Sequence, residues 1–128
     1  MNLVQKRTRK EKGEIAFLQN NVGKRQEAHQ TLLEIGYLKL VDFILVQEPA
    51  TWLDKQKKLY FTINHPSYHT ITPASLATRP RALVYIRKNL NFAYRLRTNL
   101  IEDSDVLALE VHRKNLEKCL IVNLYNKR

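Results

Sequence analysis

The hydrophobic pattern divides the chain into one helical segment and a series of strands. Val41 to Val46 carries the strongest signal. This apolar, partly β-branched run is broken only by Asp42 and is too short for a globular helix, which predicts a strand buried on both faces. It ends at Gln47-Glu48, and Pro49 stops the ladder because it has no N–H to donate. Upstream, Ile15-Ala16-Phe17-Leu18-Gln19 predicts a first strand. Asn20-Asn21-Val22-Gly23 follows as a tight turn in which Gly23 can take positive φ. From Lys24 to Leu38 the apolar positions Ala28, Leu32, Ile35 and Leu38 recur at helical spacing. Strand, turn, helix and strand make a βαβ unit. Its right-handed crossover puts both strand ends on one edge of a sheet, so Asn21 and Glu48 are expected close in space.

The remainder reads as β-rich. Residues 50–80 are interrupted by Pro66, Pro73 and Pro80 and predict loops with one short strand near Lys58 to Ile63. Arg81 to Arg87 predicts a strand. Residues 92–98 alternate, with Phe92, Tyr94 and Leu96 against Arg95 and Arg97. Val106 to His112 also alternates, with Leu107, Leu109 and Val111 on one face and Ala108, Glu110 and His112 on the other. A hairpin turn is expected at Lys114 to Glu117, and Cys119 to Leu124 predicts a buried strand ending at Tyr125.

Composition narrows the class. A chain of 128 residues is long enough for one domain and short for two. No apolar run reaches the length that spans a bilayer, so no membrane association is expected. The single cysteine, Cys119, excludes an internal disulfide and fits a reducing, intracellular compartment. Twenty-two Lys and Arg against twelve Asp and Glu give a net charge of +10, which favours a polyanionic partner, nucleic acid first. Residues 1–14 are mostly polar and basic and read as a flexible arm preceding a domain over 15–128.

Two further patterns bear on chemistry. His65 and His69 have a metal-like spacing, but Pro66 between them argues against the helix that would align them, and a polar loop is the simpler reading. Trp52, Tyr60 and Tyr68 are aromatic residues near basic ones. They could stack on unpaired bases or simply pack in the core.

Four motifs occur in order: Phe17-Leu18-Gln19-Asn20-Asn21-Val22-Gly23, Val46-Gln47-Glu48-Pro49, Arg81-Ala82-Leu83-Val84-Tyr85-Ile86-Arg87-Lys88 and Ile121-Val122-Asn123-Leu124-Tyr125-Asn126. Together the series resembles the first part of the endonuclease/exonuclease/phosphatase superfamily. It is most similar to the apurinic-type endonuclease domain of non-LTR retrotransposons, particularly fungal ones, and the resemblance covers about residues 15 to 126. His65-Pro66-Ser67-Tyr68 and Arg79-Pro80-Arg81 share it.

The resemblance implies an α/β fold, the N-terminal portion of a four-layer sandwich in which two mixed sheets are flanked by helices. It implies metal-dependent phosphodiester hydrolysis with Mg²⁺ or Mn²⁺. Glu48 then matches the metal-holding glutamate, Asn21 the asparagine that orders the phosphate and metal site, and Tyr125 the tyrosine that contacts the scissile phosphate. Lys24, Arg25, Arg79, Arg81, Arg87 and Lys88 are candidate contacts to nucleic acid. DNA is the implied substrate, a nucleus the implied location, and a retroelement reverse transcriptase an implied partner.

The sequence also departs from the pattern. Gly23 stands where many members carry an acid. The family's later Asp-x-Asn motif and Asp-His pair, which activate the attacking water, have no match before Arg128. Asp105 and His112 precede the tyrosine and are poor substitutes in the family's order. A catalytically incomplete fragment is therefore expected, with a sheet edge and an apolar face left open for a missing C-terminal half. The competing expectations are a non-catalytic basic nucleic-acid-binding module and a small α/β protein of unrelated binding function.

Overall fold

The computed structural model describes residues 4–5, 15–90, 92–97, 105–113 and 118–125. Ten strands and one helix are present among them: β1 (Val4–Gln5), β2 (Phe17–Asn21), α1 (Gln26–Leu38), β3 (Phe43–Gln47), β4 (Thr51–Asp54), β5 (Leu59–Thr62), β6 (Tyr68–Ile71), β7 (Ala82–Arg87), β8 (Phe92–Leu96), β9 (Val106–Arg113) and β10 (Lys118–Leu124). The main sheet runs β1-β2-β3-β7-β6, a second sheet runs β10-β9-β8, and β4 and β5 form a separate hairpin.

The doubly buried strand is β3, whose first four residues are all buried. It pairs in parallel with β2 and antiparallel with β7, so its backbone groups have partners on both sides. Its side chains alternate between two apolar clusters. Ile44 and Val46 face α1 with Leu18, Leu32, Leu33, Leu83 and Tyr85. Phe43 and Leu45 face the second sheet with Val84, Ile86, Leu107, Leu109 and Val111. Helix, sheet and sheet make three layers of an α/β sandwich among the described residues, in accord with the expected class. Each fully buried Leu, Ile, Val or Phe contributes about 1.5–3 kcal/mol, which is why this pattern is so legible in the chain.

Several boundaries differ from the sequence expectation. The first strand runs on through Asn21, because parallel pairing continues to Asn21 opposite Gln47. The turn therefore falls at Gly23 and Lys24, both at positive φ (60° and 61°). Lys24 and Arg25 precede the helix instead of occupying its first turn, and Arg25 is the N-cap residue. The stretch read as loop contains two more strands. β4 pairs with β5, and β6 joins the main sheet along β7. Both owe their extended form to a partner strand and not to their own periodicity. The expected turn at Lys114 to Glu117 lies outside the described residues. Of the basic arm, Val4 pairs with Gln19 and Gln5 with Leu18.

β10 is half-buried, not buried as expected. Cys119 and Ile121 pack inward, while Leu120, Val122 and Leu124 on the opposite face are each about half exposed. On that same outer face Glu110 is a polar hub. It accepts from Arg95 (3.3 Å), Arg97 and His112 (2.7 Å), and Arg97 above all holds its pKa down at about 2.

Candidate active site

The topology delivers five chemistry-bearing residues to one edge of the two sheets. β2 and β3 are parallel and in register, so Asn21 and Glu48 leave the main sheet side by side. β7 runs the other way with Ala82 opposite Gln47, which puts Arg81 at that same edge. In the second sheet Leu124 is opposite Val106, so Asp105 enters and Tyr125 leaves at one end of the pair. The Tyr125 amide donates to the Asp105 carbonyl (2.7 Å).

A buried polar staple brings the two sheets together there. Asn123 is fully buried, and its Nδ2 donates to the Val46 carbonyl (2.9 Å) and the Leu83 carbonyl (2.8 Å). Gln47 Nε2 donates to Asn123 Oδ1 (3.3 Å) and to the Leu124 carbonyl (2.9 Å). An asparagine replaces an aliphatic residue at an inward position because the strand backbones opposite it need a donor. That substitution in an apolar alternation was the signal available in the sequence, and sequence reasoning overlooked it along with Gln47.

The Glu48 backbone lies in the left-handed region at φ 49°. A non-glycine residue there costs about 1–2 kcal/mol, and a residue before proline ordinarily stays extended. Two backbone bonds hold the conformation: the Glu48 N–H donates to the Arg81 carbonyl (2.9 Å), and its carbonyl accepts from the Lys24 N–H (2.7 Å). One residue past Pro49, the Ala50 N–H donates to Nδ1 of the fully buried His29 (3.1 Å). Because Nδ1 accepts, the ring proton sits on Nε2 and is donated to the Tyr85 hydroxyl (2.8 Å), which itself donates to the Ile63 carbonyl (2.6 Å). Burial holds the imidazole down at about 4 and pushes the Tyr85 phenol up. Backbone strain held by a buried network at a strand end fits a site where a carboxylate must be aimed.

The Glu48 carboxylate beside Tyr125, more than desolvation, raises the phenol's pKa. The Arg81 guanidinium lies over the Tyr125 ring at 5.5 Å and pairs with Asp105 (Nε to Oδ1, 3.5 Å). Asn21 Oδ1 accepts from the Gly23 N–H (2.9 Å). With its oxygen on the backbone, the amide of Asn21 has its Nδ2 donors to offer.

The other candidates are dispersed. Lys24 adjoins Glu48 through its backbone, and exposed Arg25 is beside it in sequence. Arg79 covers the Tyr60 ring at 5.5 Å. Arg87 and Lys88 lie at the far end of β7, about 20 Å from Arg81 by strand rise. Arg87 there pairs with fully buried Asp42 (2.8 Å), whose other oxygen accepts from Ala16 N–H (2.9 Å). His65 bonds Glu34 (3.1 Å), while His69 lies in β6 with its ring 6.5 Å from Tyr94. Among the described residues no three His, Cys, Asp or Glu side chains form a metal-holding group.

Neither a protein-family model nor a curated protein sequence matches this chain. In three dimensions it is similar to the solved endonuclease domain of TRAS1, a telomere-specific non-LTR retrotransposon, with a TM-score of 0.66 and 13% identity. The fold is endonuclease-like. The match covers 89% of this chain and 45% of that one, so the chain spans about half the length of the domain it resembles. No helix among the described residues is long and apolar enough to cross a membrane.

Proposed function

We propose that this edge is part of the active site of a divalent-metal-dependent phosphodiesterase acting on DNA, of the endonuclease/exonuclease/phosphatase type carried by non-LTR retroelements. The observation that carries the reading is the convergence of Glu48 and Tyr125 at the ends of strands from different sheets, with Arg81 over the Tyr125 ring and paired with Asp105. The ordered sequence motifs and the likeness to the TRAS1 domain support it.

The residues fit Mg²⁺ or Mn²⁺. Such a cation takes hard oxygen ligands, keeps several waters, and often needs only one or two protein carboxylates. Glu48 would hold it, with Asp105 the next carboxylate along the edge. When bound, the cation offsets charge on the phosphate and on the leaving oxygen. The protein's own share is positioning: Asn21 Nδ2 donates to a phosphate oxygen without adding negative charge, the Tyr125 hydroxyl turns from Glu48 to do the same once the carboxylate holds the cation, and Arg81 and Lys24 draw the phosphate in. A general base must lie within hydrogen-bond reach of the attacking water. Asp105 pairs with Arg81, and His112 bonds Glu110 on the outer face. The described residues thus supply an anchor and donors, and the base is assigned to a complementary segment. In this reading the working protein cuts nuclear DNA beside a reverse transcriptase.

Paramagnetic Mn²⁺ tests the anchor. It should broaden the NMR signals of the Tyr125 ring and the Gln47 and Asn21 side-chain amides, and Glu48→Gln should abolish the broadening. Broadening that survives Glu48→Gln, or none at millimolar Mn²⁺, would refute the site. Nicking of supercoiled plasmid by this chain with Mg²⁺, lost in Glu48→Ala, would instead show that no complementary base is needed.

A further inference from the structure

The β4–β5 hairpin begins three residues after Glu48 and stands outside both apolar clusters. Its base is pinned: the Thr62 hydroxyl donates to the Ala50 carbonyl (2.6 Å), and the Tyr60 N–H donates to the Leu76 carbonyl (2.8 Å). Its tip is ordered by Asp54, whose carboxylate accepts from the N–H groups of Gln56 (3.0 Å) and Lys57 (3.2 Å). The hairpin is therefore a braced projection beside the candidate active site.

Its surface chemistry is unusual for such a projection. Trp52 and Phe61 are cross-strand partners on one face and stack on each other with centroids 5.6 Å apart and planes 30° apart. They remain 37% and 52% exposed, so the stacked pair keeps open ring surface towards solvent. On the opposite face Tyr60 carries the Arg79 guanidinium over its ring. Lys55, Lys57 and Lys58 are all exposed at the tip, and the one acid of the hairpin, Asp54, is occupied in bracing the turn. Open aromatic faces with lysines one turn away match a strand whose bases are unstacked and whose phosphates run alongside. A paired duplex hides its base faces and offers the aromatic pair nothing to stack on. An acidic peptide would satisfy the lysines and leave the rings unexplained.

We infer that the β4–β5 hairpin is a single-stranded DNA platform, with Trp52 and Phe61 stacking on unpaired bases and Lys55, Lys57 and Lys58 holding the adjoining phosphates. It deepens the nuclease reading by naming the form of DNA held beside the site, and it rests on that reading for placing DNA at this edge. Trp52 is the sole tryptophan, so its fluorescence reports the contact directly.

The full chain, without metal, is titrated at low salt with a labelled oligothymidylate and with a duplex of equal length, reading anisotropy and Trp52 emission together. The single strand should quench Trp52, and the duplex should bind more weakly without quenching. Trp52→Ala and Phe61→Ala should each weaken single-strand binding roughly tenfold or more. The triple variant Lys55→Ala, Lys57→Ala, Lys58→Ala should reduce the salt slope of log K by about 2. Unchanged Trp52 emission on a bound single strand, unchanged affinity in Trp52→Ala, duplex binding as tight as single-strand binding, or no DNA binding at low salt would each overturn the inference. The wild-type quench requires no variant to fold. Loss of Mn²⁺ binding at Glu48 would sink the nuclease reading while leaving the quench intact, and the reverse result would sink the platform alone.

Discussion

Between pH 6.5 and about 4, acid should destabilise this protein through His29. Its imidazole is fully buried between a backbone amide and a phenol, bonds that require the neutral ring. Burial lowers its pKa from 6.5 to about 4. The unfolded chain therefore takes up the proton first, and stability falls as pH falls. At about 1.4 kcal/mol per pH unit the gap is worth about 3 kcal/mol. That stability is fully present above pH 6.5 and lost as pH falls through about 4, with roughly 2 kcal/mol gone by pH 5. Protonation at Nδ1 also sets a donor against the Ala50 N–H, so the strand end carrying Glu48 loses a brace. Urea unfolding between pH 7.5 and 4.5 measures the effect, with His29→Gln as control, because glutamine keeps one acceptor and one donor but does not titrate. The wild type should lose about 2 kcal/mol between pH 7 and 5 and the variant much less. A wild-type midpoint flat over that range, or an equal slope in His29→Gln, would refute the reasoning.

Three other outcomes are expected from the packing. Asn123→Ala removes donors to two buried carbonyls and should cost about 2–3 kcal/mol in urea unfolding, while shifting the Tyr125 ring signals because the staple beside it is gone. Gly36→Ala should destabilise by about 1–2 kcal/mol even though alanine gains about 1 kcal/mol in helix propensity, since a Cβ there meets Ile44 Cδ1 and lies 2.9 Å from Ile44 Cγ1; a raised melting temperature would show that Ile44 moves aside. Leu40 takes φ 55° just past α1, where the Val41 N–H returns to the Gly36 carbonyl, and it is 59% exposed, so Leu40→Gly should stabilise by about 0.5–1 kcal/mol in thermal unfolding.

The βαβ unit was legible in the chain. A helix of period 3.6 between two apolar runs states which side chains face inward, and handedness then places Asn21 beside Glu48. The burial of β3 and the inward face of β9 followed from the same local rule. β4 and β6 were not legible, because each is short and extended through pairing with a strand elsewhere in the sequence. Periodicity also overstated β10: its apolar run is continuous, but among the described residues one face has a layer to cover it and the other does not.

Glu48 at the end of a buried strand was determined by sequence alone, since an apolar run closed by Gln47-Glu48-Pro49 can end only there. What surrounds that carboxylate was decided by tertiary structure. Arg81 and Arg87 bracket one strand and look equivalent in sequence, yet the antiparallel direction of β7 sends Arg81 to the site and Arg87 to Asp42 at the opposite edge. Tyr125 meets Glu48 because Asn123 and Gln47 hold the two sheets at one register, a contact between residues 77 apart. Side-chain periodicity encodes which face a residue occupies. It carries no record of strand direction or of the offset between sheets, and those two quantities placed Tyr125, Arg81 and Asp105 around Glu48.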